Sequence, residues 1–363
     1  MYSCLIFITV VFLPFTTSAG AGICVSDDGT NSTCRAACLK QPCDTKWSCN
    51  GTLLSTCEQS CYHNSCTQLA CDETTQKCVQ YCSGCQTMKC NSSDCDQSCT
   101  AGFCHDMRCN AAHSCQQSCH HCRHQRCYDS TTCTQRCLKS DCSLECVQSQ
   151  TCLQYCHGNG CLASCLGNKD YCSQTCQPKA NCTHLICDSK FCSQTCANNS
   201  MCALLRCDGD HCRQETYVEK SKLECLSSDC REQVSHVSNT VLSCDNINGF
   251  CIQKSFGSGC VMSCGTNVKT CEQDCYGGDC NMSCARGVET CTMKCPGGNC
   301  TFSCQAKDCL LSCKNNECKN TQSETKDTRD TRKECDNSCN KRPFHPVLLL
   351  IFTTFTSLSS VYW

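Results

Sequence analysis

The pentapeptide Cys-x-Gln-x-Cys most constrains the fold of this chain, because it recurs at nearly constant spacing. It occurs at 57–61, 78–82, 95–99, 115–119, 133–137, 152–156, 172–176, 192–196 and 271–275. Up to the eighth copy, successive copies begin 17 to 21 residues apart. Self-similarity at a fixed period of about twenty residues is typical of repeat proteins built from stacked turns.

Each copy, here called the outbound segment, is followed by a second short segment that ends in Cys, here called the return segment. An apolar residue lies two positions before that final Cys, with Gln125 as the exception. The apolar residues are Trp47, Leu69, Met88, Met107, Leu144, Ala163, Leu185, Leu205, Met262, Met282 and Phe302. The pattern continues through 213–243, where Leu223 and Leu242 keep the apolar position. Thr216, Val234 and Ser255 are predicted to replace the second outbound Cys there.

Alternation within each segment predicts short β-strands, because side chains two positions apart share one face of a strand. Cys, Gln and Leu or Met would then face inward, and Ser, Thr, Arg and Lys outward. The sequence predicts a disulfide-rich repeat protein, an all-β two-armed solenoid of about fourteen turns over residues 34–318. Two alternatives remain open: irregular small disulfide modules in tandem, and one-turn helices, since residues four apart also share a helix face.

Composition narrows the class of protein further. The chain has 363 residues, of which 58 are Cys and 6% are aromatic, with a formal net charge of −2. So many cysteines are typical of disulfide scaffolds from an oxidising compartment. Near-zero net charge argues against a nucleic-acid partner, which would require a basic face. The sequence contains no recognisable catalytic motif, so we expect no enzyme and no cofactor.

Disulfide pairing can be predicted from strand geometry. Cysteines four apart on one strand have Cα atoms roughly 13 Å apart, beyond the roughly 7 Å limit for a disulfide. Pairing is therefore predicted between sequence neighbours that flank each turn, leaving Cys260, Cys335 and Cys339 over. The predicted pairs include Cys38–Cys43, Cys61–Cys66, Cys137–Cys142, Cys176–Cys182, Cys187–Cys192, Cys196–Cys202, Cys275–Cys280 and Cys295–Cys300.

The two ends of the chain carry targeting signals. Residues 1–19 have the apolar region and small-residue cleavage site of a signal peptide, and 20–33 would cap the array. Residues 319–336 form a polar stalk. Residues 337–363 fit a GPI-attachment signal, with Asn337 or Ser338 as the attachment residue. A C-terminal transmembrane segment is the alternative. Either one predicts a secreted or cell-surface protein held to the membrane by its C-terminus, which could be shed into the matrix.

Two further kinds of modification or binding site can be considered. Asn-x-Ser/Thr sequons predict glycosylation in exposed turns at Asn31, Asn50, Asn91, Asn181, Asn198, Asn281 and Asn299. His120, His121 and His124 are the candidate metal ligands, beside Cys119 and Cys122. Both cysteines belong to the repeat, however, so disulfides with solvent-exposed histidines are the competing interpretation.

In composition and repeat length, the chain resembles the cysteine-rich extracellular matrix proteins of marine invertebrates, including those of coral skeleton. It lacks the adjacent Cys-Cys pairs of galaxin-type repeats. The resemblance implies a structural matrix protein, surface-anchored or shed and associated with biomineral, with matrix or cell-surface components as partners. The alternative functions are a binding module for a glycoprotein, glycan or mineral, and a metal-binding Cys/His protein.

Overall fold

The computed structural model describes residues 21–27, 31–38, 46–49, 55–62, 66–110, 113–227, 229–245 and 249–321. It confirms the predicted fold class: an all-β solenoid of about 13 turns of about 20 residues, against about fourteen predicted. The helical and irregular alternatives are therefore wrong for the described residues. Their only helical element is a short 3₁₀ turn at Lys314–Asn316.

Two sets of strands build the two arms, and three long strands, β10, β14 and β15, run from one arm into the other. The strands are β1 (Ala21–Asp27), β2 (Asn31–Cys38), β3 (Lys46–Cys49), β4 (Thr56–Cys61), β5 (Cys66–Cys71), β6 (Lys77–Cys82), β7 (Cys85–Cys90), β8 (Asp94–Cys99), β9 (Cys104–Asn110), β10 (Ser114–Tyr128), β11 (Thr132–Ser140), β12 (Ser143–Val147), β13 (Thr151–Cys156), β14 (Cys161–Cys176), β15 (Asn181–Cys196), β16 (Met201–Cys207), β17 (His211–Thr216), β18 (Lys222–Cys225), β19 (Asp229–Ser235), β20 (Val241–Cys244), β21 (Phe250–Ser255), β22 (Val261–Cys264), β23 (Thr270–Cys275), β24 (Asn281–Cys284), β25 (Thr290–Cys295), β26 (Thr301–Cys304), β27 (Asp308–Cys313) and β28 (Lys319–Asn320).

Each strand pairs with the equivalent strand one turn away, parallel and in register. Cys152 of β13 lies opposite Cys172 of β14, and in the return arm Cys165 lies opposite Cys187. The first pair differs, because β1 runs antiparallel to β2. In-register stacking places identical residue types above one another, so each inward position becomes a column along the solenoid.

Those columns form a narrow core with few large side chains. In β13, Cys152, Gln154 and Cys156 are fully buried while the residues between them are only half-buried. The apolar column of the return arm is equally buried, at no more than 3% exposure. It comprises Leu69, Met88, Met107, Leu144, Ala163, Leu185, Leu205, Leu223, Leu242, Met262, Met282 and Phe302. Cystines and glutamines therefore fill much of the space that aliphatic side chains occupy in an ordinary domain.

A ladder of buried glutamines joins the turns and the two arms. The Nε2 of each Gln donates to the Oε1 of the Gln one turn earlier, at 2.8–2.9 Å. Each of these Nε2 groups also donates to a backbone carbonyl of the return arm, as Gln154 does to Ser164 at 3.0 Å. The ladder runs from Gln59 to Gln273 and ends at Met293, which occupies the next position of the column. Buried amides satisfied in this way stabilise one register over its alternatives.

One predicted position needs correction. The sequence predicts that Val234 occupies the position where other turns have their second outbound cysteine. In the structure Ser235 occupies that position, opposite Thr216 and Ser255 of the neighbouring turns. A register shift between Cys230 and Gln233 inserts one extra residue into β19, so counting from Cys230 places everything after it one position too early. Such bulges leave the surrounding ladder intact.

Glycine is required where the outbound arm turns toward the return arm. A Cβ on Gly277 would lie 2.3 Å from the backbone carbon of Gly257, one turn earlier. No side chain fits at that distance, because the backbones of successive turns are in contact there. Glycine-rich turns such as Gly277-Gly278 and Gly297-Gly298 are thus a packing requirement of stacked corners.

Candidate functional surfaces

The cysteines lie as flanking neighbours on either side of each turn. Seven of the eight predicted pairs named above lie among the described residues, with Cα atoms 6.0–6.4 Å apart. That spacing is within the range a disulfide spans. The eighth pair, Cys38–Cys43, includes Cys43, which lies outside the described residues. The chemical connectivity of the secreted protein stays a prediction, and peptide mapping without reduction tests it.

Three cysteines among the described residues are buried thiols: Cys127, Cys133 and Cys260. Cys260 is the residue that neighbour pairing leaves over. Neighbour pairing predicts a disulfide between Cys127 and Cys133, whereas in the structure both are thiols. Burial raises the pKa of the Cys133 thiol well above its usual range, and a hydrogen bond with Cys127 adds to the effect. Both thiols are shielded from solvent, and the raised pKa keeps Cys133 protonated, which makes it a poor nucleophile and a poor metal ligand.

Hydroxyl groups take the place of the missing cysteines in three turns. Thr216 Oγ1 lies 2.9 Å from Ser221 Oγ, where other turns carry a disulfide. In the next turn Ser235 Oγ donates to the carbonyl of Val237 at 2.9 Å. In the third, Ser255 Oγ lies 3.0 Å from Cys260 Sγ. These buried hydroxyls remain hydrogen-bonded but supply no covalent link.

A row of stacked rings runs beside the same three turns and the turn after them. We call Tyr217, His236, Phe256 and Tyr276 the aromatic row; successive ring centroids are 4.1, 5.2 and 5.0 Å apart, and the rings are within 10° of parallel. Burial alone would raise the pKa of Glu215. Hydrogen bonds from Tyr217 and His236 outweigh burial and lower that pKa. Because the rings stack on one another, we infer that the aromatic row stabilises the contacts between successive turns where the corner disulfides are absent.

Replacing Ser255 with Cys is expected to create a disulfide with Cys260. The equivalent residues one turn later, Cys275 and Cys280, are bonded with Cα atoms 6.4 Å apart. A new cross-link of this loop length should add about 2 kcal/mol to the free energy of unfolding. Alkylation under denaturing, non-reducing conditions should no longer modify Cys260. Ser263→Cys, on a half-buried outward position of β22, is the control in which Cys260 stays reactive; a reactive Cys260 in Ser255→Cys would contradict the prediction.

The predicted metal ligands lie beside a disulfide and close to basic side chains. Cys119 and Cys122 form a disulfide, so neither thiol is available. His121 Nδ1 lies 2.9 Å from Ser140 Oγ. Burial lowers the pKa of His120, and the charges of Lys139 and His121 lower it further. Burial also lowers the pKa of His124, as does the nearby charge of Arg126.

The sequons that the structure describes with their side chains lie on or next to the return arm. Asn91, Asn198, Asn281 and Asn299 are exposed, and Asn181 is half-buried at the start of β15. Asn31 begins β2, whereas Asn50 lies outside the described residues, as do the attachment residues Asn337 and Ser338. Where the side chains are described, the outward face of the outbound arm carries no sequon.

An almost uncharged area lies on that outbound face, and we call it the neutral patch. It spans five consecutive outbound strands, from β10 to the end of β15, and Arg136 is its only charged residue. Its outward residues are Ser114, Gln116, Ser118, Thr132, Thr134, Arg136, Thr151, Leu153, Tyr155, Tyr171, Ser173, Thr175, Phe191, Ser193 and Thr195. Charged residues border it, Asp94 and Asp96 on one side and Arg213 and Glu215 on the other.

Neither the aromatic row nor the neutral patch was identified from the sequence. The signal for the row is the residue directly after the second outbound cysteine position, which becomes visible only when the bulge in β19 is placed correctly. The signal for the patch is the absence of charge at outward positions of successive repeats. Both require the turns to be aligned residue by residue.

The described residues thus form a disulfide-rich β-solenoid. Its outbound face carries the neutral patch, and the sequons lie on or next to its return arm. No helix among the described residues is long and apolar enough to cross a membrane. Comparison with protein-family models, with curated proteins and with solved structures finds no match for this chain. Any statement about its function therefore depends on its own residues.

Proposed function

We propose that this protein is a non-enzymatic structural component of an extracellular matrix or cell surface. The observation that carries the proposal is the solenoid of about 13 turns, in which cystines and, as far as Gln273, the glutamine ladder hold successive described turns together. At about 4.8 Å per turn the array would extend roughly 60 Å. Cross-linking of this density is typical of secreted proteins in an oxidising environment. A rigid rod of this kind suits a load-bearing or spacing role.

The proposal includes a C-terminal anchor, supported by the uncharged tail after residue 346. In this proposal the polar stalk beyond β28, up to residue 336, separates the solenoid from the membrane, and a GPI group at Asn337 or Ser338 holds it there. Shedding from the anchor would release the rod into the matrix. Association with a biomineral is part of the same proposal and is supported by the resemblance in composition alone.

A second candidate function is a binding module for a glycoprotein, glycan or mineral. The neutral patch favours it, because an extended area with Arg136 as its only charged residue is compatible with a neutral partner such as a glycan. Tyr171 and Phe191, 38% and 37% exposed, are adjacent on this patch. Exposed aromatic side chains are common anchors at binding surfaces.

Fractionation of expressing cells and their matrix tests these proposals together. We expect the protein at the cell surface or in matrix that resists salt and neutral detergent. Phosphatidylinositol-specific phospholipase C should release the surface fraction. A structural role predicts unchanged matrix retention for the double variant Tyr171→Ser, Phe191→Ser, whereas a binding role predicts its loss. Accumulation of the wild-type protein inside the cell would contradict both.

A further inference from the structure

The last turn of the solenoid ends in an uncovered edge. Strand β27 pairs with β25 on one side, and no described strand pairs with its other side. Leu310 is 50% exposed, and Leu311 is only partly buried. One turn earlier, the equivalent Met293 is fully buried. An open strand edge with exposed apolar side chains is a template for further strand pairing.

The chain that follows immediately has the wrong composition to cover this edge. Residues 322–334 are Gln-Ser-Glu-Thr-Lys-Asp-Thr-Arg-Asp-Thr-Arg-Lys-Glu, with no apolar residue. Such a segment cannot bury Leu310 or shield the partly exposed cystines of the last turn. Terminal repeats of solenoids need a polar outer side when they face water, whereas this turn leaves Leu310 half exposed and Leu311 only partly buried.

The inward column of the outbound arm also changes from glutamine to apolar residues at this end. The glutamine ladder stops at Gln273, and its Oε1 has no hydrogen-bond partner. Met293 and Leu311 then occupy the next two positions. A ladder that ended in Gln would present an amide oxygen at the edge, and two such ends would repel each other. An apolar end can instead pack against an identical one.

We propose that a second copy of this chain docks on this edge, tail to tail, with the two β27 strands antiparallel. The register that we infer places Leu311 opposite Leu311 of the second copy. Asp308 then lies opposite Lys314, the first residue after β27, and the two-fold symmetry forms that pair twice. Charge complementarity favours this register, because a shift of one residue in either direction separates Asp308 from Lys314, and one of the two shifts also places Lys307 opposite Lys314. The proposal goes beyond the structural role, which an unpaired rod could also fill.

Sedimentation equilibrium of the mature full-length protein, released from cells, tests the proposal. The wild-type protein should be a dimer at micromolar concentration. Asp308→Lys or Lys314→Asp alone should weaken the dimer at least roughly tenfold, because each places two like-charged pairs at the interface. The double variant, Asp308→Lys with Lys314→Asp, should restore it. Lys294→Asp, one turn away and exposed, is the matched control and should leave the dissociation constant unchanged.

Two outcomes would overturn the proposal. A wild-type protein that stays monomeric throughout the concentration range would show that the edge is not used by a second copy. A dimer that the single charge changes leave unaffected, or that the double variant fails to restore, would show that a different surface or register is used. Circular dichroism of every variant verifies that the solenoid itself is intact.

Discussion

Reduction of the disulfides is expected to unfold this protein at room temperature, whereas the oxidised protein should resist heating and protease. Each cross-link of this loop length contributes about 2 kcal/mol. The described turns contain many such links, and their sum exceeds the 5–15 kcal/mol by which ordinary domains are stable. The remaining core is a narrow column of Leu and Met that cannot offset the entropy of ordering the chain.

Thermal unfolding followed by circular dichroism, with and without reductant, provides the measurement. Limited proteolysis of the same samples should show an intact solenoid only in the absence of reductant. The control is reductant treatment followed by reoxidation, which should restore the melting curve if folding is reversible. Similar melting temperatures in both conditions would mean that the glutamine ladder and the apolar column hold the fold unaided.

Replacing Gln154 with Leu should lower the free energy of unfolding by roughly 3–6 kcal/mol. The change conserves volume but leaves three buried hydrogen-bonding groups unsatisfied: the Oε1 of Gln135, the carbonyl of Ser164 and one of the two N–H groups on Gln174 Nε2, whose other N–H still donates to the carbonyl of Ile186. Each unsatisfied buried group costs about 1–3 kcal/mol. Urea unfolding of the disulfide-intact protein measures the total. Hydrogen exchange should show that faster opening is confined to the turns on either side of Gln154.

Gln273→Met is the matched control for this prediction. It lies at the end of the ladder, where its Oε1 already lacks a partner, and Met is the residue that follows naturally in the column. The change removes the hydrogen bonds that Gln273 donates to Gln253 and to the carbonyl of Ser283. No glutamine on its C-terminal side loses a partner, because the ladder ends there. We therefore expect a smaller loss of stability than for Gln154→Leu. An equal loss at both positions would show that volume, and not the hydrogen-bonded ladder, determines the effect.

The inward columns were predictable because they depend only on period and residue type. Cys, Gln and Leu recur at fixed offsets, and alternation along a strand is enough to place all three inward. The shift at Val234 and Ser235 was not predictable by counting, since a bulge adds a residue without changing composition. Only the hydrogen-bonded pairing of Gln233 with Gln214 shows where the register resumes.

The thiols of Cys127 and Cys133 illustrate a second limit. They are six residues apart, as are Cys146 and Cys152, which form a disulfide. Spacing therefore cannot distinguish the two pairs. Surface features were harder still to predict, because exposed residues are constrained by partners and not by packing. The neutral patch and the open edge of β27 became visible only once the turns were stacked.

The glutamine ladder has a direction, and this has an evolutionary consequence. Every amide between the two ends of the ladder donates toward the N-terminal end and accepts from the C-terminal end, so each of these turns presents a donor on one side and an acceptor on the other. The glutamine of a duplicated turn, inserted anywhere within the ladder, could therefore hydrogen-bond to the glutamines of both neighbouring turns. If a turn were deleted, the glutamines on either side of it could hydrogen-bond to each other. Rod length can thus change by whole turns through gene duplication or loss, with no compensating substitution in the core.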